Sequence, residues 1–349
     1  MINKTVNIRI IWIDLIKVFA IFSIVVLHSA APILYQYGRI DNTFWHTGNV
    51  YDSTVRMAVP LFFILTGTLL LGKTIQSTTL FLKKRIGRII LPLIFWSILY
   101  TLFNIYALNK NLDISTELFY SLFRREYYHL WFLYAMIGMY LFIPILNIFI
   151  ISSSKKMQYY FIILWIFSIA IIPIFDNFLN IKAYNYLPML GGYIGYLVLG
   201  HLLSKLIISK KLLFTSLVTF CISTLVTIYG TLYLTEQSNK YIGFFYSYFS
   251  ISTIFQAVSA FIILRYIGEN VIKINLKLNT ILIEISNKTL GIYLIHPILL
   301  WFLNTKGVYA LNGENPLYMV PITALLGFIL SYIVVSLMYK STNLRKFIS

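Results

Sequence analysis

Cysteine is almost missing from this sequence, and charge is scarce. A single thiol, Cys221, lies in an apolar run, so neither an intramolecular disulfide nor a thiolate metal cluster can form, and no metal is expected. Charged residues fill 11% of the 349 positions, against about 25% in an ordinary soluble domain. Carboxylates are the scarcer sign, 11 Asp and Glu against 28 Lys and Arg, for a net charge of +17. Low-complexity tracts, internal repeats and linkers are also missing, so the chain reads as one domain over residues 1–349. What is abundant is apolar surface, 59% of the residues, more than a soluble fold of this length has interior to hide. The fold class that follows is an all-α integral membrane bundle.

A basic patch with interleaved aromatics would suggest nucleic acid. Here the Lys and Arg fall in short clusters between apolar runs, so they read as topology signals in contact with membrane lipids, and no nucleic-acid partner is expected. About 20 apolar residues cross the hydrocarbon layer. Ten stretches approach that length: 10–33, 52–72, 89–108, 130–151, 158–175, 187–208, 212–234, 244–267, 281–303 and 317–339. The first begins like a secretory signal, but it is longer and carries Asp14 and Lys17, so it reads as a retained helix. An even count puts both termini on one side. The N-terminus (Lys4, Arg9), the even-numbered loops and the C-terminus hold essentially all the excess positive charge, led by Lys73, Lys83, Lys84, Arg85 and Arg88 in the second loop. Positive short loops stay in the cytoplasm, so both termini are expected there.

An ionisable side chain within a span costs about 2.5–3.5 kcal/mol on insertion scales, so each one asks for a partner or a use. The first span carries Asp14, Lys17 and His28, and the second Arg56 with Asp52 at its mouth. The sixth carries His201, expected at the inner interface; the ninth carries Glu284, Lys288 and His296. Asp14 with Lys17, and Glu284 with Lys288, have the spacing of pairs that neutralise each other along a helix. His28 has no charged local partner. With the termini inside, Lys17 lies in the inner half, while His28, Arg56 and His296 share one depth in the outer half. At the entrance of the third span, Lys84, Arg85 and Arg88 are placed either to hold phosphates or simply to stop translocation.

Several segments together resemble the acyltransferase-3 family of membrane O-acyltransferases. Asp14-Leu-Ile-Lys17-Val-Phe-Ala20 with His28 is similar to that family's first-helix signature, a basic residue and a histidine with ten residues between. Val59-Pro-Leu-Phe-Phe-Ile-Leu-Thr-Gly67, the Arg85/Arg88/Pro92 segment, His129-Leu-Trp-Phe-Leu133, Gly195-Tyr196 with Gly200, and Ser286 through Gly291 to His296-Pro297 follow in order. Two positions depart from the pattern. Lys17 stands where Arg is usual and loses the bidentate fork, and Thr66 stands where Ser precedes the glycine. The resemblance is to the short branch, without an appended soluble domain, that O-acetylates surface polysaccharides or their lipid-linked precursors.

That resemblance implies a bacterial cytoplasmic-membrane enzyme with ten helices. It also implies an acyl-CoA donor, most often acetyl-CoA, on the cytoplasmic side and a glycan or lipid-linked glycan acceptor outside. Asp14, Lys17 and His28 are the expected catalytic residues, with His28 as general base or transient acyl carrier. Lys84, Arg85 and Arg88 are expected to hold the CoA phosphates. Arg56 is expected to meet an oxyanion or an acidic sugar, and His296, Trp131, Tyr134 and Tyr293 to line the acceptor pocket. An oligomer is compatible with the sequence. The rival reading is a polysaccharide or small-molecule transporter without acyl chemistry, since basic mouths and proline breaks such as Pro60, Pro173 and Pro188 occur there too.

Overall fold

A computed structural model describes residues 9–108, 127–179, 192–272 and 275–349; Lys4, Pro188, the start of the sixth predicted span and the charges of the third loop lie outside them. The described helices are α1 Ile11–Leu34, α2 Asn42–Thr54, α3 Ala58–Leu70, α4 Thr78–Tyr106, α5 Trp131–Ser152 and α6 Lys155–Ile166. A π-turn at Phe167–Ile171 leads to α7 Ile172–Leu179, followed by α8 Ile194–Ser204, α9 Lys210–Ser238 and α10 Ile251–Asn270. The chain ends with α11 Leu276–Ser286, α12 Thr289–Thr305, α13 Pro316–Lys340 and α14 Thr342–Arg345. Among the described residues eight helices are long and apolar enough to cross a membrane, and two shorter apolar ones, α8 and α12, fall in the sixth and ninth predicted spans.

The side chains are arranged for lipid. On α9 the buried residues are Ser216, Ser223, Thr227, Thr231 and Thr235, all on one face, while Phe214, Ile222 and Tyr229 are more than half exposed. A soluble helix has the opposite pattern. In a bilayer, small polar residues let helices approach and bond, as Thr227 Oγ1 does to Ser252 Oγ of α10 at 2.9 Å. The molecule is therefore an all-α bundle built for a membrane.

At its centre stands α1, which touches α2, α3, α10, α11, α12 and α13 and buries Ile16, Ala20, Ile21, Val25, Ala30 and Ile33 completely. Helices α3 and α8 meet backbone to backbone: a Cβ on Gly67 would stand 1.9 Å from the Leu197 carbonyl oxygen, and one on Gly200 equally close to that of Ile64. Thr68 Oγ1 adds a bond to Gly200 O at 2.9 Å.

Several helix ends differ from the sequence expectation for identifiable reasons. The second span starts at Asn42 rather than 52, capped by Asp41, because its polar residues Asn49 and Ser53 are satisfied inside the protein by the Ile228 carbonyl, Tyr246 and Gln256. The third starts at Thr78, not 89, since Ser77 caps it and the basic residues continue the helix without breaking it. The ninth is two helices that meet at Asn287–Lys288. His201 lies in the last turn of α8, is only 3% exposed and packs against Gly72.

Candidate active site

Two prolines shape the centre. Pro60 has no N–H for the carbonyl four residues back, that of Arg56, and the chain breaks between α2 and α3 at Val55–Met57. Gln256 repairs that break by donating to Ser53 O at 2.9 Å and accepting from the Met57 amide at 3.1 Å. Arg56 is thereby held at a kink, ion-paired with fully buried Asp52, donating to Tyr246 O at 3.3 Å and resting 4.0 Å over the Tyr246 ring. Pro297 likewise lacks the amide that would bond the Tyr293 carbonyl. That freed oxygen lies 2.7 Å from His296 Nδ1.

From this carbonyl the protonation of two histidines follows. A carbonyl only accepts, so His296 carries its proton on Nδ1 and offers a lone pair at Nε2. His28 Nδ1 lies 2.7 Å from that Nε2 and must be the donor, which leaves His28 Nε2 with its lone pair free. The rings are 3° from parallel with centroids 5.0 Å apart, a separation that nitrogens 2.7 Å apart reach only when the rings lie end to end in one plane. Tyr128 meets His28 edge-on at 4.8 Å.

His28 opens onto a cavity of about 620 Å³ whose wall includes Arg56, Trp131, Tyr35, Tyr127, Tyr128, Tyr248, Trp301 and Tyr309. In the connecting segments, burial raises the Tyr127 hydroxyl and pushes Tyr309 up to about 12, so these wall groups remain neutral donors near pH 7. A second, narrower cavity of about 300 Å³ is lined by Lys17, Arg85, Arg88, Thr66, Phe132, Tyr140 and Tyr293. The two cavities lie back to back. Trp131 faces the first and its chain neighbour Phe132 the second; on α12, Pro297 and Tyr293 divide in the same way one turn apart.

The profile of the acyltransferase-3 family, described as an acyltransferase domain, matches residues 10–340. The chain belongs to the acyltransferase-3 family. No curated protein and no solved structure matches it. The protein is thus a multi-pass membrane acyltransferase.

In this acyltransferase the structure distributes the expected site residues unevenly. His28, Arg56 and Trp131 share the larger cavity, and Lys17, Arg85 and Arg88 share the narrower one with Tyr293, which therefore lies on the other side from the expected acceptor pocket. His296 is completely buried and stands behind His28 rather than in the cavity wall. Lys84 and Tyr134 line neither cavity. Nor does Asp14, which pairs with Arg9 at 2.8 Å instead of Lys17 and accepts from Ser286 Oγ at 2.5 Å. Arg9 also donates to Asn287 Oδ1 at 2.9 Å, so this cluster ties the start of α1 to the α11–α12 junction. Glu284 and Lys288 do pair, at 2.7 Å, with Tyr332 and Ser336 of α13 around them, and neither lines a cavity.

Sequence reasoning missed the aromatic wall and His129. Tyr127 and Tyr128, Tyr248, and Tyr309 come from three separate chain connections, so no local signal joins them. His129 was visible within its motif. It is buried, donates through Nε2 to the Leu294 carbonyl at 3.3 Å, and lies 5.5 Å from the His296 ring, ring centre to ring centre.

Proposed function

We propose that this acyltransferase moves a short acyl group, acetyl by preference, from acyl-CoA in the Lys17 cavity to a hydroxyl of a surface polysaccharide or lipid-linked glycan in the His28 cavity. The observation that carries this reading is the chain from His28 Nδ1 to His296 Nε2 and from His296 Nδ1 to the Tyr293 carbonyl, which presents a free basic nitrogen to an aromatic cavity. The concentration of Lys and Arg on the side of the narrower cavity supports placing that side, with both termini, in the cytoplasm of a bacterial cell. Its three cations, Lys17, Arg85 and Arg88, suit the CoA phosphates, and its apolar wall suits the thioester arm.

With the acyl end of the donor extended from the Lys17 cavity to His28, Nε2 takes the proton of the acceptor hydroxyl as the oxygen attacks the thioester carbonyl carbon. The carbon–sulfur bond then breaks, and the thiolate receives that proton from His28 to leave as CoA thiol. His296 accepts from Nδ1–H throughout, so it holds the ring in place and stabilises the imidazolium. Arg56, at the rim of the same cavity, is charged where the oxyanion develops or where an acidic sugar docks. Neutral tyrosine and tryptophan faces suit the apolar faces of sugar rings.

The test is to incubate detergent-purified protein with radiolabelled acetyl-CoA and a pool of bacterial surface glycans. Wild type is expected to release CoA and label glycan, and His28→Ala to lose at least about a hundredfold in both while remaining folded. Absence of CoA release by wild type with every short acyl-CoA, together with glycan flux in vesicles, would replace this reading with a transporter.

A further inference from the structure

The turn between α3 and α4 holds a third opening, beside the basic cavity. Gly72 starts it at φ +74°, with its amide bonded to Asn147 Oδ1 at 2.7 Å, and Ser77 ends it as the cap of α4. Between them lies a cavity of about 360 Å³ whose wall includes Lys73, Gln76, Ile75, Phe81 and Arg85. Leu69 and Arg85 line this space and the basic cavity alike, so the two adjoin, with Arg85 at the joint. Neither wall contains an aspartate or glutamate side chain. Among the described residues none pairs with Lys73, Arg85 or Arg88 either. Cations left without counter-charges around a concave surface favour an anionic ligand.

We propose that this turn cavity binds the nucleotide end of acyl-CoA and that Lys73 reads its 3′-phosphate, a subsite that rests on the acyl-CoA reading above. The donor is a linear molecule of three chemistries, and the adjoining cavities present three matching environments in the same order. The narrow space below Tyr293 is walled by Phe62, Leu65 and Phe132 and suits the thioester arm. Arg85 and Arg88 follow; a guanidinium fork can bridge two oxygens of the pyrophosphate. Beyond them, Phe81 and Ile75 offer apolar surface to the adenine, and Gln76 offers an amide to its edge. Lys73, a compact point charge in the wall of the turn cavity, suits the terminal monoester phosphate that distinguishes CoA from its dephosphorylated precursor.

Calorimetric titration of the detergent-purified protein with CoA and with 3′-dephospho-CoA separates the possibilities, because it reads binding and needs no acceptor. Wild type is expected to bind CoA roughly tenfold more tightly, a preference that shrinks at high salt since Lys73 is exposed. Lys73→Gln should weaken CoA to the level of the dephosphorylated compound and leave the latter unchanged, while Lys73→Arg keeps the preference. Equal affinities in wild type, or a preference that survives Lys73→Gln, overturns the subsite and leaves the acyl-CoA reading standing. Absence of binding by either compound overturns both.

Discussion

His28 and His296 show how one backbone atom can set side-chain chemistry two residues away in a chain of hydrogen bonds. The Tyr293 carbonyl forces the proton of His296 onto Nδ1, and that choice makes His28 a donor inward and a base outward. His296 therefore acts on the reaction through His28. Replacing it with Ala removes the acceptor for Nδ1–H. The acetyl-transfer kcat is expected to fall about tenfold to a hundredfold while the KM for acetyl-CoA stays within about twofold, because the donor cavity is untouched. His296→Gln, whose side-chain oxygen can still accept, should recover part of the loss. A KM change equal to the kcat change, or no rescue, would argue for simple structural damage. The ionisable residues themselves were legible in the sequence because charge inside a span is costly. Of their pairings, Glu284 with Lys288 was legible from the spacing, but Asp14 took Arg9, five residues before it, and left Lys17 to a cavity, which only the packing of α11 and α12 against α1 decided.

At the scale of elements, the two proline breaks were visible as residues but not as devices. Pro60 frees the Arg56 segment to turn, and Pro297 frees the carbonyl that orients His296. Pro297→Ala returns an amide that competes with His296 Nδ1 for the Tyr293 oxygen. Acetyl transfer is expected to drop roughly tenfold, equivalent to about 1.4 kcal/mol of transition-state stabilisation, without a lower unfolding temperature, since the helix gains a backbone bond. Comparing turnover with the thermal melt checks this, and full activity in the variant would show that the ladder and the histidine do not compete. The early starts of α2 and α4 belong to the same scale. Hydropathy marks where a helix is apolar, whereas caps at Asp41 and Ser77 mark where it is a helix, so spans read from apolar runs began about ten residues late.

For the whole molecule, the asymmetry of charge predicts an orientation. In a Cys221→Ser background, a cysteine at Lys84 should react with a membrane-impermeant maleimide only after the cells are opened, and one at Arg39, exposed beyond the end of α1, should react in intact cells. The reverse labelling would invert the bundle and place the Lys17 cavity outside. The cavities give that orientation its meaning, because they stand end to end across the bundle with His28 on one side and Lys17 on the other, about 16 Å apart along α1 at about 1.5 Å per residue.

The sequence by itself determined that this chain is a helical membrane protein, where its apolar segments and the charged residues along them lie, and which family it belongs to. Each of these is carried by local composition, helical period or ordered motifs. The tertiary structure alone decided that His296 stands behind His28, that Tyr293 lines the Lys17 cavity, and that tyrosines from three separated connections form one wall. Such facts depend on the rotation of each helix about its own axis and on breaks at Pro60 and Pro297, and a residue's depth along a span says nothing of the neighbour it faces.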